Sequence, residues 1–209
     1  MYIALEGIKG SGKTTVHGRA CQALSARDIA FASLRTTCRA EGFSLVETLY
    51  ECTNKWWPDW AVARVYATRS NRNARAVPRR TPLILGDRSL LTSYVTRWDT
   101  VNPELGMQRV EAMETLRLPD HVIYLNLPVD LAQARINNRE RRNYGHRDQA
   151  RDRLSGADSC YKAIAREGRK YGLGGIRWHW IDAAQPLDGV IQNVLGTVAS
   201  IAGIDLTDS

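Results

Sequence analysis

The segment Gly7-Ile8-Lys9-Gly10-Ser11-Gly12-Lys13-Thr14 constrains this chain more than any other. It satisfies G-x-x-x-x-G-K-[ST] in full. It also stands between a short β-prone run, Tyr2–Leu5, and a stretch that reads as a helix from Lys13 to Ala26. In that order of strand, glycine-rich turn and helix, successive backbone N–H groups turn inward as an anion nest, and the helix adds the positive end of its dipole. Gly7, Gly10 and Gly12 let the main chain close around a phosphate, with Lys9, Ser11 and Thr15 on the same stretch. Lys13 supplies a flexible point charge for the β- and γ-phosphates, and the Thr14 hydroxyl is suited to ligating Mg²⁺. The expected ligands are ATP and Mg²⁺, bound in a phosphate loop. A chance glycine-rich turn would account for the glycines but not for the whole pattern in this position.

The rest of the chain supplies a matching frame. Pro82–Gly86 and His121–Leu127 are apolar runs suited to strands buried on both faces, Trp178–Ile181 is a more amphipathic candidate, and Ala30–Leu34 is a further short strand. Helical segments are expected at Pro103–Leu116, Val129–Arg142, Ser155–Tyr171 and Pro186–Ala202, with a stretch helical in pieces up to Arg75. Strands alternating with helices predict an α/β P-loop NTPase fold, with a central parallel sheet of about five strands flanked by helices. The 209 residues fit one domain, 1–209, and 44% hydrophobic with 24% charged residues is enough to build a core. No apolar run approaches the roughly 20 residues a bilayer demands, and the first residues lack a signal peptide's basic start and cleavage site. Cys21, Cys38, Cys52 and Cys160 stand far apart with no CxxC pair, so they read as reduced thiols in a cytoplasmic protein. A formal charge of +7 points to anionic ligands without naming them.

A second signal follows the Pro82–Gly86 strand. Asp87 at the carboxyl end of a buried strand is placed to hold Mg²⁺ through water or to orient an acceptor, and Arg88 beside it to grip a second phosphate. A switch GTPase would need an N-K-x-D segment late in the chain. Asn54-Lys55-Trp56-Trp57 lacks the acid and comes too early. Residues 137–155 fall in the most charged part of the chain, rich in arginine and poor in large apolar side chains, and read as an exposed lid with Gly145 and Gly156 as hinge candidates.

In these segments the chain resembles the thymidylate kinase-like branch of the P-loop nucleoside monophosphate kinases. The likeness runs through Leu5-Glu6-Gly7 and Lys13-Thr14-Thr15, Arg35 after the second strand, Tyr66-Ala67-Thr68-Arg69, Leu85-Gly86-Asp87-Arg88, Val122–Leu125 with Pro128 and Ala132-x-x-Arg135, and Trp180–Ala183. It implies ATP-dependent transfer of a γ-phosphoryl group to a deoxynucleoside monophosphate, dTMP or a related pyrimidine deoxynucleotide. Asp182 and Ala183 would lie against adenine; Arg35, Tyr66, Arg69 and Arg88 would hold the acceptor. With Gly10 rather than an arginine in the phosphate loop, the catalytic arginine would come from the lid, first from Arg139 and Arg142, one helical turn apart. Homodimers are common in the family.

Several departures bear on the acceptor. Lys9 stands where the family places an acid, Leu34–Cys38 lacks the acid and proline of T-R-E-P-G, Val65 replaces the aromatic that stacks on thymine, and Ser89 replaces the tyrosine of D-R-Y. Trp56, Trp57 and Trp60 either wall an acceptor pocket or pack between helices. Two alternatives therefore stand beside the monophosphate kinase. One is a P-loop kinase with a different acceptor: a modified deoxynucleotide, a nucleoside or a nucleic-acid end. The other is a non-catalytic nucleotide-binding protein with nucleic acid as a partner, which the intact set Lys13, Thr14, Asp87 and Arg88 disfavours.

Overall fold

The fold is seen in a computed structural model that describes residues 1–38, 49, 57–96, 117–138 and 151–206. Five strands emerge where the apolar runs lie: β1 (Tyr2–Glu6), β2 (Ala32–Arg35), β3 (Ile84–Asp87), β4 (His121–Asn126) and β5 (Arg177–Asp182). All pair in parallel, in the order β2-β3-β1-β4-β5. Every residue of β1 is buried, as suits a central strand covered on both faces. The helices are α1 (Lys13–Ser25), α2 (Asp59–Ala76), α3 (Leu90–Thr96), α4 (Val129–Asn137), α5 (Arg151–Glu167) and α6 (Leu187–Ala202), with a 3₁₀ turn at Gly168–Tyr171. This is the expected α/β architecture. Three details differ. The short helix α3 was not expected from sequence, α5 begins a turn earlier than Ser155, and Gly156 lies inside α5 rather than at a hinge.

The period-2 alternation of strand side chains divides the core into two layers. Ile3, Leu5, Leu85, Ile123, Leu125 and Ile181 face α1 and α6, where Val16, Ala20, Leu24, Val190, Val194 and Val198 complete one cluster. Tyr2, Ala4, Ile84, Val122 and Tyr124 face the other way, against residues of α2, α3 and α5. Leu5 and Leu85 are fully buried, so truncation of either to Ala would cost about 2–5 kcal/mol.

Polar groups secure the helix ends and the lower rim of the sheet. Arg117 donates from its guanidinium to the carbonyls of Ala74 and Val77, and its backbone N–H meets Asn71 Oδ1 at 2.9 Å. A cation thus covers carbonyls left open at the C-terminal end of α2, where the helix dipole is negative. On the amino-terminal side of β4 and β5, His121 Nδ1 and His179 Nε2 lie 3.0 Å apart with the rings stacked. One ring nitrogen must donate and the other accept, so the pair suits two neutral imidazoles. Desolvation, then the neighbouring His179 and Arg177, hold His121 below the ordinary 6.5; desolvation and Arg177 do the same to His179. Among the described residues no helix is long and apolar enough to cross a membrane.

Arg117→Ala is expected to destabilise the protein by about 1–3 kcal/mol, read as a lower urea midpoint at unchanged m-value. The two histidines carry folded-state values below their unfolded ones, so the unfolded chain takes up protons first as the solution is acidified. Stability should therefore hold above pH about 6.5 and be lost as acidification below it carries the solution through the lowered folded-state values. A His121→Phe/His179→Phe double variant should show a shallower fall over that window; equal slopes would remove the pair from the account.

Candidate functional site

The carboxyl ends of the five strands form one row in the order Arg35, Asp87, Glu6, Asn126, Asp182. A parallel α/β sheet places ligands at this edge, because helix N-termini and loops converge there. The phosphate loop leaves β1 at the centre of the row. Its curvature depends on close backbone approach: Gly10 has φ +94°, and a Cβ there would lie 2.7 Å from the carbonyl oxygen of Ala132 on α4. A Cβ on Gly7 would meet Leu125 O and Ser11 Oγ, each at 2.8 Å. Only glycine permits this packing of loop against β4 and α4.

Lys13 is buried and lies folded over its own loop, donating to Gly7 O at 2.8 Å, Ile8 O at 2.7 Å and Ser11 Oγ at 3.2 Å. Ser11 N–H closes the turn on Ile8 O at 3.2 Å. Lys9 is half-buried, while Thr14 and Thr15 at the start of α1 are exposed. The loop thus offers the main-chain amides, the cation and the hydroxyl in one place. Contact of Lys13 with a phosphate requires it to give up one of these carbonyl or hydroxyl partners, since an ammonium has three donors.

Asp87 and Arg88 come next to the loop. Asp87 is the register partner of Leu5 on one side and of Arg35 on the other, and Arg88 N–H donates to Leu5 O at 3.1 Å. Asp87 is 7% exposed, and its Oδ1 is buried with no hydrogen-bond partner among the described residues. A carboxylate oxygen in that state is costly unless a ligand meets it. The register places the Asp87 side chain on the α1 face of the sheet. There it and burial raise the thiol of Cys21 above its ordinary value, burial being the larger cause. Cys21 is therefore an inert thiol beside the site. His17, also on α1 and buried, reaches Leu85 O with Nε2 at 3.0 Å and fixes the helix against β3.

On the β2 side, Asn73 of α2 reaches the carbonyls of Arg35, Thr36 and Cys38 at 3.3, 3.0 and 2.9 Å, holding the turn that follows β2. Tyr66, Arg69 and Asn73 recur at helical spacing, so they share the α2 face turned toward that turn. Arg69 is buried, with its guanidinium carbon 5.8 Å from the Tyr66 ring centroid, and Arg35 is exposed. Trp57 packs with Tyr66 against Val65. At the far end of the row, Asp182 is exposed and its Oδ1 accepts the N–H of Ala184 at 2.9 Å. Ala183 is buried; its N–H reaches Asn126 O, and its carbonyl accepts from Arg135 at 3.0 Å. Arg135 thereby ties α4 to the loop after β5. Arg139 and Arg142, the arginines expected in the lid, and Trp56 lie outside the described residues.

Four residues escaped sequence reasoning: Glu6, Thr92, Tyr161 and Asn73. Glu6 is fully buried, and both of its oxygens are occupied. Oε1 takes the N–H and Oγ of Ser89, each at 2.7 Å; Oε2 takes Thr92 Oγ1 at 2.6 Å and the Tyr161 phenol at 2.8 Å. Of the two acids flanking the loop, Glu6 is thus spent within the fold and Asp87 is left with an open oxygen. An acid ending an apolar strand just before the glycine-rich turn was the available signal for Glu6. Tyr161 gave none, being 155 residues away.

Neither protein-family models nor curated protein sequences give a match to the chain. Solved structures do. Deoxyadenosine kinase from M. mycoides with bound dATP aligns with a TM-score of 0.64 at 17% identity, covering 95% of this chain and 99% of that one. The same kinase with products dCMP and a flexible dCDP gives 0.63 at 19% identity over 96% and 100%, and with bound dCTP 0.62 at 18% over 96% and 100%. At this identity the likeness shows the fold alone, the α/β fold with its parallel five-stranded sheet, over nearly the whole chain. It also corrects the reading of the acceptor. The expected likeness was to thymidylate kinases acting on a deoxynucleoside monophosphate; the structures matched are those of a deoxynucleoside kinase. The second phosphate that Arg88 was expected to grip has no counterpart in a nucleoside acceptor.

Gly10→Ala should push the loop off Ala132 and weaken ATP binding about 100-fold or more, measured by calorimetry, while far-UV circular dichroism stays near that of the parent.

Proposed function

We propose that the protein is an ATP-dependent kinase whose acceptor is a deoxynucleoside, with the 5′-hydroxyl as nucleophile. The observation that carries this reading is the open, buried oxygen of Asp87 on the strand adjoining the phosphate loop. The likeness in fold to deoxyadenosine kinase supports the choice of acceptor.

The chemistry follows from what each group offers. Transfer to a hydroxyl forms a bond from the acceptor oxygen to the γ-phosphorus, breaks the bond to the β–γ bridging oxygen and releases one proton. Asp87 is the carboxylate placed to take that proton or to orient the hydroxyl that loses it. The loop amides and Lys13 hold the phosphates, and Arg88 offsets charge that grows on the transferring group. Thr14 and Asp87 are the residues that would hold Mg²⁺, a hard cation that takes oxygen ligands, and the open Asp87 oxygen fits such a role directly or through water. Mg²⁺ in such a site supplies charge neutralisation across the β- and γ-phosphates. Arg35, Tyr66 and Arg69 border the β2 end of the row, the side left for an acceptor once ATP lies over the loop toward Asp182 and Ala183. Because the acceptor brings no phosphate of its own, fewer cations are needed than two facing anions would demand.

A panel of nucleosides and nucleoside monophosphates with labelled ATP tests this reading. Phosphorylation of at least one deoxynucleoside is expected, with Lys13→Ala and Asp87→Asn each lowering kcat about 100-fold or more. Turnover of monophosphates alone would overturn it.

A further inference from the structure

Glu6, Ser89, Thr92 and Tyr161 make a closed arrangement that the proposed chemistry does not use. We propose that Glu6 is a positioning residue: it accepts hydrogen bonds from three elements and thereby locks the left-handed turn that carries Arg88 beside the strand leading into the phosphate loop. The kinetic part of this inference rests on the kinase reading; the structural part does not.

Arg88 has φ +74°, in the left-handed region that a non-glycine residue enters only when its surroundings impose it. Each peptide group around it is tied down. Its own N–H donates to Leu5 O at 3.1 Å, and its carbonyl lies 3.3 Å from the Tyr2 hydroxyl, whose ring passes over Gly86. The next N–H, that of Ser89, goes to Glu6 Oε1. Ser89 then performs two tasks with one hydroxyl. It donates to the same carboxylate oxygen, and it accepts the Leu91 N–H at 3.1 Å, capping α3. This explains why α3 starts abruptly after β3, and what stands in place of the tyrosine expected at position 89.

The other oxygen of Glu6 faces α3 and α5. Thr92 Oγ1 and the Tyr161 phenol both donate to it, and the two hydroxyls are 3.4 Å apart. Burial, and next the neighbouring Glu6, hold the Tyr161 hydroxyl well above its ordinary 10.0, so it stays a donor. Four donors meet one carboxylate, filling its four lone-pair sites. Glu6 leads directly into Gly7, so the group that fixes the Arg88 turn is the residue from which the phosphate loop departs. The distance between the loop and Arg88 is therefore set within one hydrogen-bonded unit rather than across a flexible loop.

A merely structural Glu6 would lower stability and leave the chemistry of the folded fraction alone. A positioning Glu6 acts through Arg88, and substitutions at the two should not add. Glu6→Ala is expected to lower kcat about 100-fold with Kd for ATP within about 3-fold of the parent, and to cost less than about 3-fold more in an Arg88→Ala background. Glu6→Gln, whose amide can still accept from Ser89 and donate to Thr92 and Tyr161, should recover to within about 5-fold. Tyr161→Phe, the mildest change and far from the loop in sequence, should lower kcat about 5–10-fold with the same dependence on Arg88. Equal losses with and without Arg88, or loss of ATP binding in Tyr161→Phe, would overturn the proposal. If the parent phosphorylates no nucleoside, the kinase reading falls and the positioning role is read from amide exchange instead. The Ser89 N–H should then exchange about 100-fold faster in Tyr161→Phe than in the parent, with β1 amides unchanged; an unchanged Ser89 rate would overturn it.

Discussion

The carboxylate of Glu6 is the point on which the site is built. A fully buried acid is tolerable only when its oxygens are satisfied, and here the donors come from the residue after Arg88, from α3 and from α5. Removing any one donor leaves the others in place but weakens the agreement among elements far apart in sequence. Tyr161 itself packs at 5.1 Å from the Tyr124 ring, and the Tyr124 hydroxyl donates to Asp158 at 2.7 Å, one turn before Tyr161 on α5. A chain of contacts, polar between Asp158 and Tyr124 and between Tyr161 and Glu6 and aromatic between the two rings, thus ties α5 to β4 and to the end of β1 within a layer that is otherwise apolar. Such a chain specifies one arrangement of the layer, because any other would strand a buried charge.

Much of the fold was legible because the sequence announces it locally. Apolar runs of four to seven residues lay where strands β1, β3 and β4 form, and the glycine-rich turn fixed how β1 meets α1. Asp87 and Arg88 were singled out from their place after an apolar run, and the structure sets both next to the loop. The rest was hidden for identifiable reasons. Helix α3 is seven residues long and begins at a serine cap that, in sequence, looks like the remainder of a strand-end motif. Tyr161 and Thr92 acquire meaning only when the sheet brings Glu6 between them. Asn73 sits in a polar stretch of α2, where nothing distinguishes a side chain that holds a turn from one that faces water.

The acceptor was the least legible part, and the reason is electrostatic. Arginines near a phosphate loop read naturally as grips for a second anion, yet other arginines of this chain serve structure. Arg135 reaches the carbonyl of Ala183 and Arg117 the end of α2. A cation's formal charge does not reveal whether its partner is a ligand or a row of backbone carbonyls. The Asp87 oxygen that meets no donor among the described residues is the more specific signal, because a buried acceptor in that state is suited to a ligand.

The alternation of side chains along neighbouring parallel strands has one further consequence. Glu6 occupies an even position of β1 and looks toward α3 and α5; Asp87, opposite Leu5, occupies the other parity and looks toward α1. Two acids one strand apart are thereby aimed into different layers of the core. One carboxylate is bound into the scaffold, while the other faces the helix that the phosphate loop opens.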